Sequence, residues 1–276
     1  MTDTANDDKL TYTDLITIGL PHHFVQTVTS EQLVVITNVI KSADPRPTQP
    51  IDVVQLVEVT LVNTAVNAAN SEKLTVKDLE VCGCIDSDGL TTSQLKAIQD
   101  LLRAADPKPT SGETLAVLIS KAKISVLVEA SKKDTLTFDH LIDNGVVFPV
   151  GSDSTTSFVP IPPNVLQKIT DAINEANPTT TVETQIVVDD VIVQVIIDAV
   201  DNKELTQDYL NIIGMPPPPL TSDQLVLVNE VIARSYPAPS HPTDIVVLVQ
   251  NTVVSAVVDS ATTGTLSHDD LTACGI

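Results

Sequence analysis

Read for apolar and polar positions alone, the chain repeats one phrase five times. The phrase is apolar, Thr or Ser, three residues, Leu, three residues, Gly, apolar. Its first copy runs from Leu10 to Leu20, and the others begin at Leu74, Leu136, Leu205 and Leu266. Each part of the phrase has a physical meaning at the end of a helix. Thr11 stands where an N-cap hydroxyl would accept an orphan backbone N–H. Asp14, three residues on, completes a capping box, and Leu10 with Leu15 forms a hydrophobic staple. Gly19 takes the left-handed conformation that ends a helix, and Leu20 supplies the apolar contact beyond it. The pattern therefore predicts a helix of about two turns, too short to stand without neighbours. Asp78 and Asp270 repeat the capping acid, whereas His140 and Tyr209 depart from it. Looser starts are expected for those two helices.

Two further helices recur at fixed distances. One opens on a second staple and box, Val28-Thr29-x-x-Gln32-Leu33, repeated at Leu90-Thr91 and Leu220-Thr221. Its apolar residues Leu33, Ile36, Val39 and Ile40 keep helical spacing. It stops where Pro45, Pro107, Pro178 and Pro237 restrict the preceding residue. The next stretch runs from about Ile51 to Asn70, with copies starting near Thr114, Thr184 and Thr243. It is rich in Val and Ile, which favours strands. However, polar Glu58, Asn63 and Asn67 recur at spacings near four around apolar pairs, a helical and not an alternating pattern. The segment from Pro21 to Gln26 reads as a polar connection.

The distance from Leu33 to Pro45 equals that from Leu95 to Pro107, from Leu166 to Pro178 and from Leu225 to Pro237. Likewise Leu56 to Leu74 equals Leu118 to Leu136, Val187 to Leu205 and Leu248 to Leu266. Only the stretch between the short helix and the next long one varies. Constant spacing marks a packed unit and variable spacing a linker. The expected fold is all-α: a tandem array of four small three-helix bundles, each long-long-short, extending as a rod. Residues 1–20 would be the tail of a preceding unit, followed by repeats over 21–85, 86–146, 147–215 and 216–276. A unit of about sixty residues is marginal alone, so neighbours would stiffen one another. The run Pro216 to Pro219 suits a semi-rigid spacer. This framing also suggests a segment cut from a longer array.

Composition narrows the function classes. The chain is 276 residues long, with 42 % hydrophobic residues but 3 % aromatics and no Trp, so its cores rest on Val, Ile, Leu and Ala. A formal net charge of −21 argues against nucleic acid and anionic membranes as partners. No membrane span is expected, because the most apolar stretch, Val187 to Val200, is interrupted by Asp189, Asp190 and Gln194. The acidic start, Met1 to Lys9, is not a secretory signal, so the expectation is either an intracellular, cytoplasmic protein or a piece of something longer.

Candidate chemistry is sparse. Three Cys residues form no closed disulfide framework; Cys82 and Cys84 flank Gly83 at positions held elsewhere by apolar residues. His22 and His23 adjoin each other without further ligands, and Asp86-Ser87-Asp88-Gly89 lacks most of a calcium loop. No nucleophile with its base, zinc spacing or phosphate loop occurs. No catalytic, cofactor or metal residues are therefore assigned, and no small-molecule substrate is expected. The pattern breaks once, in an insertion from Val146 to Pro160, where two apolar arms flank Gly151-Ser152-Asp153-Ser154. Phe148, Asp153 and Phe158 are the candidate partner-binding residues of this loop; the alternative is a linker that covers the end of its own bundle.

The unit, with its φ-Thr-x-x-Gln-Leu opening, Pro-rich break, Val-rich second helix and Leu-Thr-x-x-Asp-Leu-x-x-x-Gly-φ close, resembles the tandem helical repeats of very large bacterial surface proteins and adhesins. It is also similar to three-helix albumin-binding modules. That resemblance implies a stalk or binding module outside the cell, with a protein partner or self-association. It assigns no binding residue.

Overall fold

In the computed structural model, residues 10–20, 22–84, 90–148, 161–215 and 219–268 are described, 22–24 by backbone alone. Among them every regular element is a helix. The first is α1 (Tyr12–Thr17), then α2 (His22–Thr27), α3 (Ser30–Ser42), α4 (Pro50–Asn70) and α5 (Val76–Glu80). Next come α6 (Thr92–Ala104), α7 (Gly112–Lys132), α8 (Phe138–Asp143) and α9 (Pro163–Ala176). The last are α10 (Thr181–Asp201), α11 (Gln207–Ile212), α12 (Ser222–Arg234) and α13 (Pro242–Thr263).

The helix boundaries follow their local chemistry. In α1 the Asp14 backbone N–H donates to Thr11 Oγ1 at 3.3 Å, and the Thr11 N–H donates to Asp14 Oδ2 at 2.8 Å. The box recurs at Thr75–Asp78, Thr29–Gln32, Thr91–Gln94 and Thr221–Gln224. Its Gln side chains are buried, because each long helix begins inside a core. The expected loose start at His140 is corrected: His140 Nδ1 accepts the Thr137 N–H at 3.1 Å and so takes the carboxylate's place. At Tyr209, which carries no acceptor at that reach, Thr206 makes no side-chain cap bond. Gly19, Gly83, Gly145 and Gly214 all have positive φ, as their place after the short helices requires.

The chain divides into two compact units, Met1–Val126 and Leu127–Ile276, with the division inside α7. Unit 1 holds two apolar cores. The first joins Leu15 of α1 and Val25 of α2 to Ile36 and Ile40 of α3 and to Val53, Val57 and Leu61 of α4. The second joins Val62, Ala65, Val66 and Ala69 of α4 and Leu79 of α5 to Ile98 and Leu102 of α6 and to Leu115, Ile119 and Ala122 of α7. So α4 packs on α3 with its first half and on α6 with its second. The second core draws side chains from both sides of residue 85. In this unit the side chains are thus grouped a half-repeat out of step with the sequence period.

Unit 2 repeats the arrangement. Helix α10 packs against α9, against α11, and against both α12 and α13. Here polar ties mark the joint between one long helix and the next repeat's first helix. Ser131 Oγ donates to the Thr170 carbonyl at 2.8 Å, and Asn229 Nδ2 donates to the Val200 carbonyl at 3.2 Å. The same place in unit 1 holds the Arg103–Glu72 ion pair at 2.7 Å.

One expectation fails in detail. The segment read as a polar connection contains helix α2, because Val25 and Val28 bury themselves in the first core. In addition, α4 and α13 are long and apolar enough to cross a membrane by length and composition; the α4 apolar residues supply both cores of unit 1.

Candidate functional site

The insertion after α8 is the first place to look, and its near end turns inward. Phe148 is 7 % exposed, and its ring lies 5.0 Å from that of Phe138, centroid to centroid, tilted by 47°. Val147 beside it is 70 % exposed, yet its backbone is held. Its N–H donates to Gln185 Oε1 at 2.7 Å, and its carbonyl accepts from Gln185 Nε2 at 3.1 Å. Phe148 therefore packs over α8. Asp153 and Phe158 lie outside the described residues.

Gln185 begins the most chemically suggestive line of side chains in unit 2. Its Nε2 also donates to Asp189 Oδ1 at 2.9 Å. The other oxygen, Oδ2, lies 3.1 Å from His241 Nε2, and His241 Nδ1 lies 2.9 Å from Thr243 Oγ1. Carboxylate, imidazole and hydroxyl thus stand in series. The register of the repeats explains the series as a helix cap. His241 occupies the N-cap of α13, the position held by Gln49, Ser111 and Thr180 in the other repeats. Its Nδ1 accepts the Thr243 backbone N–H at 3.4 Å, which leaves the ring proton on Nε2, facing Asp189. Asp244 completes the box by accepting the His241 N–H at 3.0 Å. The backbone N–H of Ser240 is the main influence holding Asp244 below its usual pKa. Glu183 is lowered in the same way, chiefly by the Thr179 backbone N–H. The function of this line is to tie the start of α13 to α10.

Cys82 and Cys84 are also accounted for by packing. Cys82 Sγ lies 3.2 Å from the Asp78 carbonyl, and Cys84 Sγ lies 3.2 Å from the Gly112 carbonyl. Gly112 suits this approach, since a Cβ there would stand 3.1 Å from the Cys82 carbonyl oxygen. Burial pushes the Cys82 thiol up to about 12 and the Cys84 thiol up to about 11. Both are protonated and weakly nucleophilic near neutrality.

Among the described residues, no group of three or more His, Cys, Asp and Glu side chains could hold a metal ion. Asp86 and Asp88 of the calcium-like stretch, and the side chains of His22 and His23, lie outside the described residues. An open groove runs between α12 and α13, lined by Leu227, Val231 and Leu248 with Glu230 and Arg234 at its edge. The same surface in the preceding repeat is bridged by Lys168 and Asp198, 2.9 Å apart. Asp198 is lowered first by the hydrogen bond from Gln194 and then by Lys168. A carboxylate and an ammonium thus close in one repeat what Leu227 leaves open in the next.

One apolar surface differs between the repeats. On α4, α7 and α10 the second half of the helix is covered on its outer side: Val62 and Val66, Ile124 and Val128, and Val193 are buried. On α13 the equivalent Val254 and Val258 are 54 % and 59 % exposed. Comparison of the chain with protein-family models, with curated proteins and with solved structures gave no match.

Proposed function

We propose that the chain is a non-enzymatic spacer, a stalk-like repeat region that holds other parts of a protein or assembly apart. In this reading its four long-long-short repeats, tandem bundles sharing faces with their neighbours, extend as a rod. The observation that carries the proposal is the recurrence of one joint. The second half of a long helix takes the first helix of the following repeat, in unit 1 at α4–α6 and in unit 2 at α10–α12. Such nearest-neighbour joints suit an array whose length is set by the number of repeats. The side chains with chemical potential fit that role. His241, Asp189 and Gln185 serve a joint, and the two thiols are buried and protonated. Placement at a bacterial cell surface or outside the cell is proposed from the resemblance of the repeat phrase alone.

Small-angle scattering on the intact chain tests the proposal. A spacer gives a cross-section near that of a helical layer and a maximum dimension that grows with each added repeat. A compact particle whose dimension does not grow with repeat number would overturn it. The alternative, a protein-binding module using the 146–160 loop, is weakened on the described part by the inward packing of Phe148.

A further inference from the structure

We infer that Asn144–Gly145 is a self-modification site, kept inert by the closed end of α8, and that reaction there makes an opening of α8 irreversible. This is the one Asn–Gly pair in the sequence. Water is the only co-reactant. The Gly145 backbone nitrogen gives up its proton and attacks Cγ of Asn144. The Cγ–Nδ2 bond breaks, and Nδ2 leaves with that proton as ammonia. Water then opens the resulting five-membered imide on one side or the other. Breaking the new Cγ–N bond leaves an ordinary aspartate. Breaking the bond from the backbone carbonyl to that nitrogen leaves an isoaspartate, with the chain running through Cγ. A glycine nitrogen attacks readily because no Cβ crowds it.

The folded chain holds the participants apart. Asn144 has ψ of 9°. That angle turns the Gly145 nitrogen toward the backbone nitrogen of Asn144 and away from its side chain, so the ring cannot close. The Gly145 N–H donates to the Ile142 carbonyl at 2.8 Å, and Asn144 Nδ2 donates to the His140 carbonyl. Asn144 is also 3 % exposed, at a place that Ile18, Cys82, Ile213 and Cys274 hold in the other copies of the short-helix phrase.

That burial gives the reaction its consequence. Asn144 Oδ1 is buried with no hydrogen-bond partner among the described residues, so the slot suits a neutral group. A carboxylate there would confront the His140 carbonyl in place of donating to it, a buried charge without a donor. The extra backbone carbon of an isoaspartate would shift the bonds that close the helix, Gly145 N–H to Ile142 and Val146 N–H to the Leu141 carbonyl at 3.0 Å. Helix α8 has six residues and depends on that closure. It carries the fully buried Leu141 and sets Phe138 against Phe148. Once modified, α8 does not reseat, and the near end of the insertion loses its support.

Peptide mass mapping of the intact chain, incubated at about pH 8 with and without guanidinium chloride, tests the inference. Conversion of Asn144 to the acid, with isoaspartate present, should run at least about tenfold slower in the folded chain than in denaturant, the protection given by an opening cost of about 1.4 kcal/mol. Chain modified in denaturant and then refolded should exchange the amides of α8 and Val146 faster than chain refolded unmodified, with α12 and α13 unchanged. Asn144→Asp should reproduce that local loosening, and Asn144→Ile should abolish the reaction while keeping α8 protected. Equal rates with and without denaturant would overturn the inference. So would α8 exchange that is unchanged in both the modified chain and Asn144→Asp. Loosening spread over all of unit 2 would overturn it equally. None of these measurements depends on the length of the array, so the spacer proposal stands or falls separately.

Discussion

Ile98→Ala separates self-contained bundles from cores shared between repeats. Ile98 is fully buried in α6, in one cluster with Val62 and Val66 of the preceding repeat and Leu115 and Ile119 of its own. Truncation removes three carbons, about 2.4 kcal/mol of transfer free energy at about 0.8 per methylene. A residual cavity raises the loss toward about 3 to 4 kcal/mol, within the range of about 2 to 5 seen for such changes. If cores straddle repeats, the loss must register on both sides of residue 85. Native-state hydrogen exchange reads this directly, because it reports opening segment by segment, where a single midpoint is ill-defined for a repeat array. Amides in the second half of α4 should exchange faster along with those of α6. Pairing the change with Val66→Ala should give a coupling of about 0.5 to 1 kcal/mol, as for residues in one cluster. Faster exchange confined to α6 and α7, with additive double-variant energies, would refute the shared core.

Two further predictions follow from caps and burial. Lys203 ends α10 with φ of 60°, and the Glu204 N–H closes on the Ala199 carbonyl at 2.7 Å. Lys203→Gly should stabilise unit 2 by about 0.5 to 1 kcal/mol, relief of about 1 to 2 from the left-handed residue less the entropy that Gly adds; urea unfolding that moved the other way would contradict the cap. The thiols of Cys82 and Cys84, raised from about 9 to about 12 and 11, give a pH dependence of known sign. Below pH 9 both states keep their protons. Above it the unfolded chain ionises first, so stability falls between about pH 9 and 12. In a Cys274→Ser background, disulfide reagents at pH 8 should react slowly with folded protein and fast in denaturant; rapid reaction of the folded chain would show the thiols accessible.

Much of the fold was legible because its punctuation is local. Thr29, Thr91 and Thr221 cap within four residues, and Pro and Gly restrict their own backbone, so helix starts and short-helix ends could be read directly. Three features lay beyond that reach. Glu72, Asp134 and Lys203 end the long helices in the left-handed conformation, a place for which sequence offers glycine as the signal; only Gly264 obeys it. Helix α2 is short and shows no period, and among its described side chains Val25 is the one fully buried. The tie from Val147 through Gln185 and Asp189 to His241 joins residues far apart in sequence, each of ordinary type. The candidate loop was read from its two Phe residues, and composition alone does not tell that Phe148 faces Phe138.

The half-repeat offset of the cores has a geometric cause. At about 1.5 Å per residue, the 21 residues of α4 span about 31 Å, whereas the 13 of α3 span about 20 Å. A first helix can therefore cover only part of its own long helix. In α4 the apolar residues do not stop where that cover ends: Val53, Val57 and Leu61 meet α3, and Val62, Val66 and Ala69 continue to α6. The second half of α4 is thus buried by its own repeat's short helix together with the helices of the next repeat. Before α3, α1 and α2 pack against it in the first core. On α13 the equivalent Val254 and Val258 are exposed. Adding a further repeat with the first-helix pattern of Leu90 to Ala104 after the fourth unit should bury both valines and slow amide exchange in the second half of α13. Unchanged exchange there in the longer chain would break the link between helix-length mismatch and the exposed face.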